Sequence, residues 1–361
     1  MEQVYALGVI FIEFIQYWFK DWEDYFTAVN NLANPNYVLL YLLPFVSVFD
    51  SVFASQLLVV MGVGGWMNSL LKWWFLEDRP FWWVRETTFY SEADRPVLRQ
   101  TTQTCETGPG SPSGHSTTAA SVLILLLMWI SHICNDRKWT SRWWKPILYS
   151  GCGAALGAVL LARMYVATHF PHQCLLGALI GAFLAPALCI YVTDPFIWQY
   201  GSRRNASECR VVMHHVVAVL VAMTVSAITY FGLKLFGVDP HYTVKLAFRW
   251  CLQPDYIHVS TTPVFALVQT AAAALAAAAA VTPATARYRH YTKNRSLLIS
   301  IFLTILSMYT FRILSEHITR DNVFYFYSLN FLLHMIQPIV HLRIIPALAM
   351  WPFRSIKQKT Q

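Results

Sequence analysis

Three polar segments lie far apart in the chain, and each sets cations or imidazoles at the edge of an apolar run. The first is Lys72-Trp-Trp-Phe-Leu-Glu-Asp-Arg79-Pro80, the second Ser113-Gly114-His115, and the third Arg163-Met-Tyr-Val-Ala-Thr-His169-Phe-Pro-His172-Gln173. Lys72 and Arg79 are seven residues apart, two helical turns, so a continuous helix would set both cations on one face. The Gly/Pro/Ser-rich stretch 105–115 runs straight into the apolar run 116–133. It thus delivers backbone N–H groups to a helix N-terminus, where unpaired donors and the helix dipole favour an anion. Lys72, Arg79 and Arg163 could surround a phosphate dianion, the arginine forks taking its oxygens in pairs. The Ser113 hydroxyl and the N–H groups of Gly114 and His115 would complete the cradle. Two imidazoles, His115 and His169, remain to serve as nucleophile and acid. No P-loop, carboxylate cluster or Asp-rich magnesium pattern accompanies them. The chemistry indicated is phosphoryl transfer with no metal and no cofactor, in which fixed cations do the electrostatic work. Each residue alone has a plainer reading: Lys72 snorkelling among interfacial tryptophans, or a histidine that is merely packed. Their joint placement at helix edges is what favours the chemical one.

The elements that must position them are membrane spans. Of 361 residues, 56% are hydrophobic and only 13% charged, with a mean hydropathy of +0.42. A soluble domain carries roughly a quarter charged residues, so this chain has too little polar surface to be one. The formal charge of +8 gathers largely in alternate loops, which argues against nucleic acid as a partner and for membrane lipid. Residues 4–26 mix aromatic and aliphatic groups with charges and predict an amphipathic helix near the interface. Apolar runs at 37–49, 55–75, 116–133, 147–161, 174–192, 211–231, 263–281, 296–311 and 323–342 predict about nine transmembrane helices. The expected organisation is all-α, one integral membrane domain over 1–361, with an amphipathic segment at 1–30 and a tail at 343–361. The Ala-rich run 271–280 needs no explanation beyond tight helix packing.

Loop charge sets the orientation. Arg137, Lys138, Arg142 and Lys145, then Arg203, Arg204 and Arg210, then Arg287, Arg289, Lys293 and Arg295, and finally Arg354, Lys357 and Lys359 share one side if there are nine spans. That side is expected to be cytosolic, with the C-terminus, while the N-terminus and the three polar segments face the opposite way. Asn205-Ala-Ser and Asn294-Arg-Ser fall on the cytosolic side and are not expected to be glycosylated. The seven cysteines lack metal spacing; Cys105 and Cys251 lie in polar loops, which leaves their pairing open. No basic region precedes an apolar run at Met1-Glu2-Gln3, so no cleaved signal peptide is expected.

Lys-x6-Arg-Pro, Pro-Ser-Gly-His and Arg-x5-His, in this order, resemble the signature of the type 2 phosphatidic acid phosphatase and vanadium haloperoxidase superfamily. Within it the chain resembles the glucose-6-phosphatase catalytic subunit family. That likeness rests on the stretch 105–115, on Arg79-Pro80-Phe81-Trp82-Trp83, on His169-Phe170-Pro171-His172-Gln173, and on Arg249-Trp250-Cys251 with Thr261-Thr262-Pro263. The resemblance implies a helical core of that superfamily and a lumenal site in the endoplasmic reticulum, agreeing with the basic Lys357 and Lys359 of a di-lysine-like tail. It implies glucose 6-phosphate as substrate and hydrolysis through a phosphohistidine, the last step of gluconeogenesis and glycogenolysis, coupled to a separate glucose-6-phosphate transporter. On this reading His169 is the nucleophile and His115 the proton donor, while Lys72, Arg79, Arg163, Ser113 and Gly114 hold the phosphate. Glu106, Thr107, Gln16, His172 and Gln173 are candidates for sugar contact or support. Ala162 departs from the superfamily, which has Ser before this arginine. Gln173 stands where other branches carry an Asp that orients the nucleophile, as Gln does in the glucose-6-phosphatases; what orients His169 is then open, with Gln173 through its carbonyl and the Glu106 carboxylate as candidates. Two alternatives are a lipid-phosphate phosphatase of the same superfamily and a transporter that binds phosphate esters without hydrolysing them.

Overall fold

The computed structural model describes residues 1–138, 143–199, 208–282, 296–319 and 321–350. The basic residues expected on the cytosolic side, Arg142, Arg203, Arg204, Arg287, Arg289, Lys293, Arg295, Arg354, Lys357 and Lys359, and the acceptors Asn205 and Asn294, lie outside them. In chain order the principal helices are α1 (Glu2–Trp18), α2 (Glu23–Leu32), α3 (Leu43–Phe49), α4 (Ser51–Phe75), α5 (Pro80–Glu86), α6 (Gly114–Asp136) and α7 (Trp144–Tyr165). They continue with α8 (Pro171–Leu188), α9 (Glu208–Leu235), α10 (Tyr242–Trp250), α11 (Pro263–Ala280), α12 (Leu297–Glu316) and α13 (Val323–Ile339). Among the described residues there is no β-strand, and eight helices are long and apolar enough to cross a bilayer; a bent pair, Glu23–Leu32 with Pro35–Phe49, would make a ninth. The chain is an all-α, polytopic membrane protein.

It divides into two compact units. The first comprises residues 1–35, 64–185 and 225–266 and holds all three polar segments. Its core gathers Val9, Ile12, Phe26, Phe81, Trp82, Tyr165 and Phe170, each nearly or fully buried. Such side chains contribute about 1.5–3 kcal/mol apiece when withdrawn from water. Residues 4–26, expected as one interfacial helix, form the two helices α1 and α2 with a break around Phe19–Trp22. Along α1 the residues Tyr5, Val9, Ile12 and Gln16 recur at helical spacing and are buried. Gly8 lets α1 meet the third polar segment, since a Cβ there would stand 2.7 Å from the Phe170 ring. The N-terminal helices are thus packed into this core, and α2 lies against α7.

Two close approaches fix the remaining geometry. A Cβ on Gly177 or Gly181 of α8 would fall 2.5 Å from the Ser113 carbonyl oxygen or 2.2 Å from that of Thr117. The backbone of α8 therefore lies directly on the first turns of α6. The second unit comprises residues 36–63, 186–224 and 267–361. Within it the alanines of α11 serve as a close-packing face, with Ala272, Ala276 and Ala280 wholly buried. Ala274 meets Gly62, whose added Cβ would stand 3.4 Å from its backbone. His334, a mid-span histidine, is bonded to Gln269 at 3.0 Å and to the Asn330 carbonyl at 2.7 Å.

Candidate active site

Each of the three segments sits where a helix ends or begins. α4 stops at Phe75, Leu76 adopts a left-handed φ of 50°, and Pro80 opens α5. Lys72 and Arg79 therefore do not share one helical face as expected; a break between two helices brings them together instead. Pro80 lacks an N–H and cannot continue α4, whereas it suits the first position of α5. Ser113 caps α6, its Oγ accepting from the Ser116 N–H at 3.4 Å. As the first residues of that helix, Gly114 and His115 have no intrahelical acceptor for their N–H groups. At the other end of the site α7 closes in a Schellman turn. Ala167 N–H donates to the Met164 carbonyl at 2.9 Å and Thr168 N–H to that of Arg163 at 3.3 Å. Ala167 takes the left-handed position, φ 54°, which normally favours glycine. This turn folds His169 back beside Arg163, which explains their six-residue spacing.

The loop 108–110 turns its carbonyls inward onto these groups. Lys72 Nζ donates to the Pro109 oxygen at 2.6 Å. Arg79 donates from Nε to Gly108 at 2.6 Å, from Nη2 to Pro109 at 3.0 Å and from Nη1 to Thr168 at 3.2 Å. His169 Nδ1 lies 2.8 Å from the Gly110 carbonyl. A carbonyl only accepts, so Nδ1 carries the proton and Nε2 keeps its lone pair. That Nε2 faces Arg79 Nη1 at 3.2 Å. The orienting partner of His169 is thus the Gly110 backbone, and neither Gln173 nor Glu106 takes that role. Burial, with Arg79 and Arg163 alongside, lowers the His169 pKa well below 6.5 and keeps the ring neutral.

Glu106 stands in the middle. Its Oε2 is 2.8 Å from Arg79 Nη1, and its Oε1 accepts from Arg163 Nη2. The same two oxygens face the imidazoles, Oε1 at 3.7 Å from His115 Nδ1 and Oε2 at 3.8 Å from His169 Nε2. Burial opposes its ionisation, but the Arg163 and Arg79 guanidiniums outweigh this and hold its carboxyl well below the usual carboxylate range. Arg79, Arg163 and His169 are fully buried, and Lys72, His115 and Glu106 nearly so.

The other candidates surround this cluster without joining it. Gln173 donates to Glu77 and to the Asp78 carbonyl, both at 2.9 Å, and accepts from the Phe170 N–H at 3.1 Å. It braces the turns that carry His169 and Arg79. His172 pairs with Glu77 at 2.9 Å and stacks on Phe170 and Tyr5. Thr107 is tied to Thr261 and to the His258 carbonyl, and Gln16 to the backbones of Arg99 and Tyr165. Asn30 of α2 accepts from Arg163 Nη1 and was invisible to spacing arguments, because a polar helical residue carries no signature of a distant partner. A disulfide joins Cys105 to Cys251, their Cα atoms 5.9 Å apart. It ties the loop bearing Glu106 to the segment that follows α10.

A model of the PAP2 superfamily matches residues 53–197, a stretch that contains all three segments. Glucose-6-phosphatase 2 of Homo sapiens is 30% identical over 342 residues, covering 91% of either chain. Glucose-6-phosphatase catalytic subunit 1 of Mus musculus is 33% identical over 266 residues, covering 73% of this chain and 71% of that one. Glucose-6-phosphatase 3 of Homo sapiens is 28% identical over 347 residues, covering 96% and 95%. No solved structure matches the chain significantly. Near-complete coverage by such relatives, over a PAP2 region that carries the clustered cations and imidazoles, places this multi-pass membrane phosphatase in the glucose-6-phosphatase family.

Proposed function

We propose that the chain hydrolyses glucose 6-phosphate to glucose and phosphate on the lumenal face of the endoplasmic reticulum, through a phosphohistidine on His169. The observation that carries this reading is the convergence of His115, His169, Arg79 and Arg163 on one small volume, now filled by the Glu106 carboxylate. His169 Nε2 forms the bond to phosphorus as the bond to the sugar O6 breaks, and His115 gives that oxygen its proton. His115 then takes a proton from water, whose oxygen attacks phosphorus and releases His169 and inorganic phosphate. Arg79 and Arg163 balance the charge on the transferring oxygens, Lys72 adds a third cation, and Ser113 with the Gly114 amide lines the helix terminus. Because Gly110 holds the Nδ1 proton, Nε2 is pre-aligned rather than free to switch tautomer.

The disulfide supports the lumenal side, since such bonds persist in oxidising compartments and seldom in cytosol. A separate transporter would bring substrate to that side, and the reaction would complete gluconeogenesis and glycogenolysis there. The test is phosphate release by purified protein in detergent from a panel of glucose 6-phosphate, other sugar phosphates and phosphatidate. Glucose 6-phosphate should lead, EDTA should leave the rate unchanged, and His169→Ala should lose at least about a thousandfold in kcat. Labelled substrate should leave an acid-labile phosphohistidine on wild type. A wide preference for phosphatidate would overturn the substrate, and a fully active His169→Ala would overturn the nucleophile.

A further inference from the structure

We infer that Glu106 is a built-in stand-in for the phosphate group: its carboxylate occupies the anion seat of the resting enzyme and must swing out before a phosphate can bind. The inference rests on the proposed phosphoryl-transfer site and adds a step to it. A bound phosphoryl group must put its oxygens on the Arg79 and Arg163 forks and its phosphorus within reach of His169 Nε2, with the departing oxygen beside His115. Glu106 has an oxygen on each fork and faces both rings, at 3.7 and 3.8 Å. Two anions cannot share that space, because the carboxylate already fills the gap between guanidiniums and imidazoles.

The surroundings show a seat shaped for more acceptors than a carboxylate brings. Arg163 is fully buried, and its Nε–H has no hydrogen-bond partner among the described residues. A buried guanidinium donor left open is costly, and two carboxylate oxygens cannot satisfy what three phosphate oxygens can. The backbone at Glu106 is also anchored, so the side chain alone can move. Its N–H donates to Thr104 at 2.9 Å, the Cys105 carbonyl takes the His258 N–H at 2.9 Å, and Thr107 N–H donates to Thr261 at 2.9 Å. Cys105 next door is fixed by its disulfide. Rotation about the side-chain bonds of Glu106 is the displacement left.

Such an internal anion keeps a strongly cationic site paired when empty, and it taxes every phosphate that binds, including the product. Apparent affinity falls by the fraction of time that the seat is vacant. The experiment uses inorganic phosphate and orthovanadate, so it depends on neither turnover nor the sugar. Binding is read as the concentration-dependent rise in melting temperature of wild type, Glu106→Gln and Glu106→Asp in detergent. Removing the competing charge, or shortening its reach, should tighten phosphate binding about tenfold or more, the scale of one charge-assisted hydrogen bond. Unchanged or weaker binding would overturn the inference, since a carboxylate that merely braces the arginines would loosen the cradle when lost. Should the variants not fold, a structure of wild type with orthovanadate decides. Glu106 should leave the guanidiniums, and a carboxylate still lodged between them with the anion elsewhere would sink the idea. A wrong substrate or nucleophile would show in the turnover assays and leave these binding results untouched.

Discussion

At the scale of single residues, the two histidines are separable because they have different partners. His169 is held by a backbone carbonyl and faces a guanidinium, whereas His115 heads a helix with Glu106 beside it. If His115 supplies the proton to the departing oxygen, its loss should matter in proportion to how much that oxygen needs one. His115→Ala should lower kcat/KM for glucose 6-phosphate by about 10²–10⁴-fold. It should cost far less with p-nitrophenyl phosphate, whose phenolate departs unprotonated; equal losses would reduce His115 to a positioning role. The depressed pKa of His169 also has a consequence for stability. An unfolded histidine takes up a proton near pH 6.5, while folded His169 stays neutral to well below that. Unfolding therefore absorbs a proton in acid, and the stability this neutral ring confers is full above pH 6.5 and declines as pH falls. Melting temperatures taken from about pH 7.5 down to about pH 5.5 should drop more for wild type than for His169→Gln. Glu106 acts in the same sense further down, its contribution present above pH 4.5 and lost as pH falls through its depressed folded value.

At the scale of elements, what the sequence reveals depends on whether side chains or backbone do the work. Lys72, Arg79, His115, Arg163 and His169 could be picked out because cations and imidazoles at the edges of apolar runs are chemically conspicuous, although the helical face that spacing suggested for Lys72 and Arg79 is interrupted at Leu76. The Gly110 carbonyl that orients His169 has no side-chain signature, and the break between α1 and α2 contains neither Pro nor Gly to announce it. The glycines show the same limit: α7 and α8 are both glycine-bearing apolar runs, yet their glycines differ in kind. Nothing lies within 4 Å of a Cβ built on Gly151, Gly153 or Gly157 of α7, whereas one on Gly177 would meet the Ser113 carbonyl at 2.5 Å. Gly177→Ala should push α8 off the N-terminus of α6, lowering the melting temperature as overpacking of about 1–3 kcal/mol does and lowering kcat by displacing His115. Gly153→Ala should leave kcat alone and be neutral or stabilising by up to about 1 kcal/mol. Equal behaviour of the two variants, by melting and turnover, would mean that α8 does not bear on the site.

At the scale of the whole molecule, the apolar runs were legible because bilayer thickness forces a span length, and the all-α architecture follows from it. Orientation is a different matter, since it rests on loop charges that lie partly outside the described residues. The site offers an independent handle. Its segments sit at the C-terminal ends of α4 and α7 and at the N-terminal ends of α6 and α8, and the loop that carries Cys105 leads from α5 into α6. The proposed extracytosolic face draws on the disulfide there and on the positive charge that the sequence expects in the opposite loops. The exposed turn Ser91–Asp94 belongs to that same loop and lies clear of the buried cluster. Replacing Glu92→Asn with Asp94→Thr writes a glycosylation triplet into it without touching a residue of the site. Expressed in microsomes, this variant should gain one glycan, seen as a shift in mobility reversed by endoglycosidase. A C-terminal tag on the same chain should be cut by protease added outside sealed vesicles. An unglycosylated variant, or a tag protected until detergent is added, would turn the molecule over in the membrane and move the site to the cytosol. A lumenal substrate supply would then be unnecessary, and a disulfide beside Glu106 would have to persist in a reducing compartment.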